Sequence, residues 1–204
     1  VAVTNGYCTV AELREHLGDD RQALNEALLE RAINASSRAI DLWTGRRFWL
    51  DGTVTARSYR PDLTDVAWVD DIGSTTGLVI ATDTTGDGSW ATTWATTDYQ
   101  LEPLNAAVSG TGYAWWTIGA IDRYTFPVAA RRPTLRVTAL HGWSAVPDGV
   151  AEACLLKAAS LFKRKDAPFG VAGFGEFGAV RITRRDGDVI ELLHPYVRLG
   201  VGAV

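Results

Sequence analysis

The stretch Leu24-Asn-Glu-Ala-Leu-Leu-Glu-Arg-Ala-Ile-Asn-Ala-Ser-Ser-Arg-Ala-Ile-Asp-Leu-Trp-Thr-Gly45 decides how this chain folds. Leu24, Leu28, Ala32, Ala35, Ala39 and Leu42 recur every three or four residues, the period of one helix face. The flank of that face is apolar too, through Leu29, Ile33, Ile40 and Trp43. One stripe suffices for a helix that packs on its own fold. Two stripes predict cover from two sides, the chain's own fold on one and another body on the other. The spacing predicts a helix that begins near Asp19 or Asp20 and ends at Gly45, the residue type that closes a helix in the left-handed conformation.

Towards the N-terminus, Thr9 and Glu12 stand three apart, so that hydroxyl and carboxylate each satisfy an orphan backbone amide of a short helix. Val10, Leu13 and Leu17 share a face of it, and Gly18 ends it. Residues 1–45 carry eleven charges summing to −3. Beyond Gly45 the composition changes: residues 46–147 hold 17 of 21 threonines and seven of eight tryptophans, which favours strands over helices. Expected strands are Thr53–Arg60, Trp68–Ile72, Leu78–Thr82, Tyr99–Glu102, Tyr113–Ile118 and Thr134–Leu140. Asp83-Thr-Thr-Gly-Asp-Gly-Ser89 joins two of them with turn chemistry. It fails as a calcium loop because its twelfth position is Trp94 and not a bidentate glutamate.

Pro147 and Asp148 stop the β-rich part and start a helix, with Val150, Cys154, Ala158 and Leu161 along one stripe. Its basic end, Lys163-Arg-Lys165, complements the helix dipole. The glycine- and phenylalanine-rich run Ala167–Gly178 excludes a regular helix and offers apolar side chains that need a surface to cover them. Ala179–Thr183 and Asp188–Leu192 are expected to form a hairpin around Arg184–Gly187, followed by a small-residue tail from Leu199. The fold class expected is therefore α+β. Two N-terminal helices and one C-terminal helix (1–45 and 148–166) form a bundle around Leu17, Leu28, Ile33, Leu42, Cys154, Ala158 and Leu161. An inserted antiparallel β module spans 46–147, and a C-terminal arm with hairpin and tail spans 167–204.

With 204 residues and 47% apolar composition, the chain has enough apolar residues for a real core. No apolar run reaches the ~18 residues of a membrane span, and no signal peptide precedes Tyr7, so a soluble cytosolic product with no membrane partner is expected. A net charge of −4 opposes broad phosphate binding. Two distant cysteines, Cys8 and Cys154, are read as reduced, and three scattered histidines give no metal pair, so no cofactor or metal is expected. Gly173-Phe-Gly-Glu-Phe-Gly178 matches a dinucleotide fingerprint by letters, yet it leaves a helix and enters a strand, the reverse of the context that aims a helix N-terminus at a pyrophosphate. The carboxylate pair Asp70-Asp71 points to opposite faces of a strand.

The order of motifs resembles a known family. Tyr7-Cys-Thr-Val-Ala-Glu-Leu13, leading to a helix that ends Ala39-Ile-Asp-Leu-Trp-Thr-Gly-Arg-Arg-Phe48, resembles the start of phage head-to-tail connector (adaptor, head-completion) proteins. Trp94-Ala-Thr-Thr-Asp-Tyr-Gln-Leu-Glu-Pro103, Thr134-Leu-Arg-Val-Thr138, Gly142-Trp-Ser-Ala-Val-Pro147 and Ala167-Pro-Phe-Gly-Val-Ala-Gly-Phe-Gly175 look like the same family in phages of actinobacteria. The resemblance implies a non-enzymatic virion protein, made in the host cytoplasm and placed in the neck of a long-tailed phage. There twelve copies would form a ring beneath the portal protein. The next neck protein, a stopper or tail terminator, would dock on that ring, and DNA would pass through without sequence-specific contact. In that frame Phe169, Phe174 and Phe177 with Arg181, Arg184 and Arg185 are expected to meet the portal or an adjacent subunit, Tyr196 to anchor the end, and Arg46 and Arg47 to pair with a neighbour's acidic face. Two other readings remain open at this stage: a carbohydrate- or protein-binding module built on the tryptophans Trp90, Trp94, Trp115 and Trp116, and a small hydrolase built on His141 with Asp122 or Asp148 and a serine.

Overall fold

The computed structural model describes residues 2–18, 24–108, 110–128, 131–164, 171–175, 178–181 and 186–198. It is an α+β protein that divides into a helical unit, Val1–Arg46 with Val146–Val204, and a sheet unit, Arg47–Ala145.

In the helical unit, α1 (Val10–Leu17) opens with the reciprocal cap expected of its sequence: Glu12 N donates to Thr9 Oγ1 at 3.2 Å and Thr9 N to Glu12 Oε2 at 2.7 Å. Helix α2 (Glu26–Thr44) starts later than the spacing predicts. Asn25 is its cap, accepting from Leu28 N, and the expected start at Asp19 or Asp20 lies outside the described residues. It ends at Gly45, with φ +67°, where a side chain would be strained.

The face of α2 turned into the unit follows the flank read from sequence through Leu29, Ile33 and Ile40, joined by Ala32 from the other stripe, while the flank's Trp43 stays exposed. Leu29, Ala32, Ile33, Ser36, Ser37, Ile40 and Thr44 are buried, whereas Leu28 is exposed and Leu42 almost fully so. The expected bundle core is corrected accordingly: Ile33, Cys154 and Ala158 are inside, Leu17 and Leu161 only partly so, Leu28 and Leu42 outside. Hydroxyls made the inner face hard to recognise. Ser37 Oγ and Thr44 Oγ1 each donate to the carbonyl four residues back at 2.9 Å, which satisfies them without water and lets them stand in a core.

Helix α3 (Asp148–Lys163) buries Val150, Ala153, Cys154, Ala158, Ala159 and Phe162 and packs on α2. Expected from sequence to run to Lys165, it ends at Lys163 with Arg164 as its cap, and Lys165 lies outside the described residues. The C-terminal hairpin forms earlier than expected, β7 (Val171–Gly175) pairing with β8 (Gly178–Arg181). Where a second strand was expected at Asp188–Leu192, the chain forms helix α4 (Gly187–Leu193) and a 3₁₀ turn, His194–Tyr196. The short run reads equally as alternation or as helix. Burial of Val189 and Leu193, four apart, decides for the helix, and the Asp186 carboxylate caps it by accepting from Asp188 N at 3.1 Å.

The sheet unit holds one antiparallel sheet in the order β1 (Thr55–Tyr59), β6 (Leu135–His141), β2 (Val66–Thr82), β5 (Trp115–Ala120), β4 (Tyr99–Glu102), with β3 (Thr92–Thr93) beside β2. The two strands expected at 68–72 and 78–82 are one strand, β2. Register shifts between Trp68 and Ile72 and between Ile72 and Val79 let its first half serve β5 and its second half β6. Val69, Ile72, Ile80, Ile118, Leu135 and Val137 form the centre of its core. Gly142, after β6, has φ +108°, and a Cβ there would lie 1.8 Å from the Trp49 carbonyl oxygen, so no other residue fits.

Candidate interface on the helical unit

The outer stripe of α2 is where the helical unit presents apolar surface. Leu28 is 39% exposed, Leu42 86% and Trp43 51%. Leu28 stands in the first turn of α2 and Leu42 and Trp43 in the last, just before the Gly45 cap, where the unit's own core leaves them uncovered. Trp43 also stands at the edge of a groove of about 180 Å³, between α2, α3 and α4, with Leu161 and Ile190 in its wall and Lys157, Arg164 and Asp186 contributing charge. An apolar edge with charged neighbours is the make-up of a protein contact, where a tryptophan supplies large area at low entropic cost. Fully burying one leucine side chain against a partner is worth about 1.5–3 kcal/mol.

The residues singled out from sequence fall in different places. Arg46 is buried in the helical unit, its backbone N donating to Thr44 Oγ1 at 3.3 Å, so it belongs to the finish of α2. Arg47 already has an acid: its guanidinium reaches both oxygens of Asp51 at 3.3 Å and lies over the Trp49 ring. Tyr196 is partly buried against Gly149, at the start of α3; burial and the nearby Asp148 raise its phenol above the ordinary range. Phe174 is in β7 opposite Ala179, and Arg181 is in β8 opposite Val171. Phe169, Phe177, Arg184 and Arg185 lie outside the described residues, as does the tail from Leu199.

The sheet unit places the residues of the other readings. Trp94 is buried, stacked on Phe126 at 4.8 Å with its Nε1 donating to Thr82 Oγ1, and Trp90 is covered by Arg136. These two rings are thus engaged within the unit, while Trp115 and Trp116, on β5, are half-buried. His141 is fully buried with Nε2 at 3.2 Å from the Thr55 carbonyl; burial, then Arg57, lower its basicity, while Asp70 works the other way. The imidazole is thus a packed residue of the sheet unit. Asp71 is buried and accepts from Trp143 Nε1 at 3.0 Å, while Asp70 binds Arg57 at 2.8 Å, as neighbours on opposite strand faces must divide.

In the Asp83–Ser89 loop the Asp83 carboxylate is turned onto its own backbone. It accepts from Thr85 N and Oγ1 and Gly86 N through Oδ1, and from Gly88 N through Oδ2. Burial opposes its charge, but these donors prevail and hold the carboxyl below its usual range. The carboxylate thus holds the loop in shape through its own backbone. Among the described residues there is no cluster of three or more potential metal ligands, and no helix is long and apolar enough to cross a membrane.

The chain matches no protein-family model and no curated protein sequence. Among solved structures it is similar to a chain in the neck of an empty GTA particle computed with C6 symmetry, at TM-score 0.56. It is also similar to one in the neck of a native GTA particle computed with C12 symmetry, at 0.51, and to one in the virion of a native gene transfer agent particle, at 0.54. Each likeness covers 99% of this chain and 96% of the other at 21% sequence identity, and what it shows is a shared fold.

Proposed function

We propose that this chain is a structural subunit of the neck of a phage-like particle. In this reading it is an adaptor whose twelve copies close into a ring beneath the portal, extend the DNA channel and present a docking surface for the next neck protein. The observation that carries the reading is the likeness over 99% of the chain to neck chains, one in a particle neck computed with C12 symmetry. The motif resemblance to head-to-tail connectors, read independently from the residues, points the same way. The role is structural and needs no catalysis, and its place is the virion neck.

The geometry supports a ring in one respect. A heterologous ring joins one face of a subunit to a different face of the next, and the outer stripe of α2 with Leu42 and Trp43 supplies one such face. The β7–β8 region, with Phe174, Arg181 and the neighbouring Phe169, Phe177, Arg184 and Arg185, is assigned to the portal or an adjacent subunit. Native mass spectrometry of the full chain, alone and mixed with the portal protein of the same particle, tests the proposal. A species carrying one adaptor per portal subunit supports it. A chain that stays monomeric and ignores the portal across assembly-permissive salt concentrations refutes it.

A further inference from the structure

The chain has two cysteines, 146 positions apart, and the fold sets them in contact. Cys8 precedes the Thr9 cap of α1, Cys154 is in the second turn of α3, and their sulfurs are 3.5 Å apart. Cys154 is fully buried and Cys8 7% exposed. The hydroxyl of Ser37, from α2, lies 3.4 Å from Cys154 Sγ, and its proton is able to turn from the Ile33 carbonyl towards that sulfur. Three elements therefore converge on one sulfur pair, with a hydroxyl beside the deeper member.

From this arrangement we propose that Cys8 and Cys154 are a peroxide-reactive dithiol, in which Cys154 reacts first and Cys8 resolves it, leaving a disulfide that ties the N-terminal segment to α3. The two sulfurs are not equivalent. The Cys8 thiol donates towards Cys154, and this bond, with help from Ser37 and the backbone amides of Tyr7 and Cys8, outweighs burial and lowers the Cys154 thiol. The same bond and burial raise Cys8. The thiolate is the nucleophile in thiol oxidation, and Cys154, which accepts from Cys8 and has the Ser37 hydroxyl beside it, is the sulfur placed to carry it. Cys8, 7% exposed, is the side from which hydrogen peroxide would reach the pair.

The chemistry balances with peroxide as the only oxidant. The Cys154 sulfur attacks one peroxide oxygen, the O–O bond breaks, and hydroxide leaves to take up the Cys154 proton as water. Cys154 is then a sulfenic acid. The Cys8 sulfur attacks the Cys154 sulfur, the S–O bond breaks, and hydroxide departs with the Cys8 proton as a second water. Two thiols have given up two electrons and peroxide has accepted them. Closing the pair from 3.5 Å to a bonded separation of about 2.05 Å needs a modest shift. The segment before α1, which is not helical, can supply it without disturbing α3.

The test is intact mass and peptide mapping of the natively folded full chain after hydrogen peroxide. The expected result is loss of two hydrogen atoms, a Cys8–Cys154 peptide and reversal by dithiothreitol. In a Cys8→Ser variant, which lacks the resolving thiol, dimedone should trap a sulfenic acid on Cys154 at least about tenfold faster than it labels Cys8 in Cys154→Ser. If the native wild-type chain keeps both thiols under peroxide and cross-links only once unfolded, the proposal is overturned. Dimedone labelling confined to Cys8 would reverse the assigned order and overturn it as well. The wild-type measurement decides the site even if either variant fails to fold.

Discussion

Replacing Leu42 by glutamine separates folding from assembly. Leu42 is 86% exposed on α2, so its side chain contributes little to the isolated chain, and glutamine keeps nearly the same helix propensity. The expected change in unfolding free energy is within about 0.5 kcal/mol. If the outer stripe is a subunit contact, each copy loses roughly 1.5–3 kcal/mol of apolar burial, which weakens a single contact by roughly 10- to 150-fold. Ile40, two residues away, is the control. It is fully buried on the opposite stripe, and Ile40→Ala should cost about 2–5 kcal/mol of stability. Urea unfolding of both variants and sedimentation velocity of the chain, alone and mixed with the portal protein of the same particle, over a concentration series, read the two effects. Assembly of Leu42→Gln at wild-type concentrations would remove this stripe from the interface. A large loss of stability on Leu42→Gln would show that the inner and outer faces of α2 are wrongly assigned.

Three further outcomes follow from the sheet unit. Gly142→Ala places a methyl 1.8 Å from the Trp49 carbonyl at φ +108°, and should cost roughly 3 kcal/mol or more in urea unfolding, or prevent folding. The lowered basicity of His141 means that the unfolded chain binds its proton more readily than the folded one. Stability contributed by neutral His141 is therefore full above the unfolded pKa of about 6.5 and falls as pH drops below it, a slope that His141→Gln should flatten in denaturation curves taken between pH 8 and 5. Asp83→Ala should expose the amides of Gly86 and Gly88 to faster hydrogen exchange, and added calcium should leave the melting temperature of the wild-type chain unchanged.

Local chemistry made several elements legible. The Thr9–Glu12 pair caps α1, Gly45 closes α2, and Pro147 with Asp148 opens α3, because each depends on residues within one helical turn. The β-rich composition of 46–147 became an antiparallel sheet, though the break expected between 72 and 78 is a bulged continuation of one strand. The run at 188–192 was ambiguous for the opposite reason: it is too short for period to discriminate, and contact with α3 settles it. The exposed Leu42 and Trp43 carried a signal, an apolar pair outside the buried stripe, but leucine weighs more than serine in any hydrophobic pattern, so the buried Ser36 and Ser37 were outvoted.

What the amino-acid sequence determined by itself is therefore the existence and type of most elements, the helix ends, and the presence of two apolar stripes on α2. Caps, turns and strand composition act over a few bonds, where the chain has no choice of partner. Tertiary structure alone decided which stripe is inside, that Arg47 is engaged by Asp51, that the Asp83 carboxylate is spent on its own loop, and that Cys8 meets Cys154 across 146 positions. Those outcomes depend on which distant surfaces compete for the same side chain, and satisfied hydroxyls or paired charges change the result without altering any local pattern.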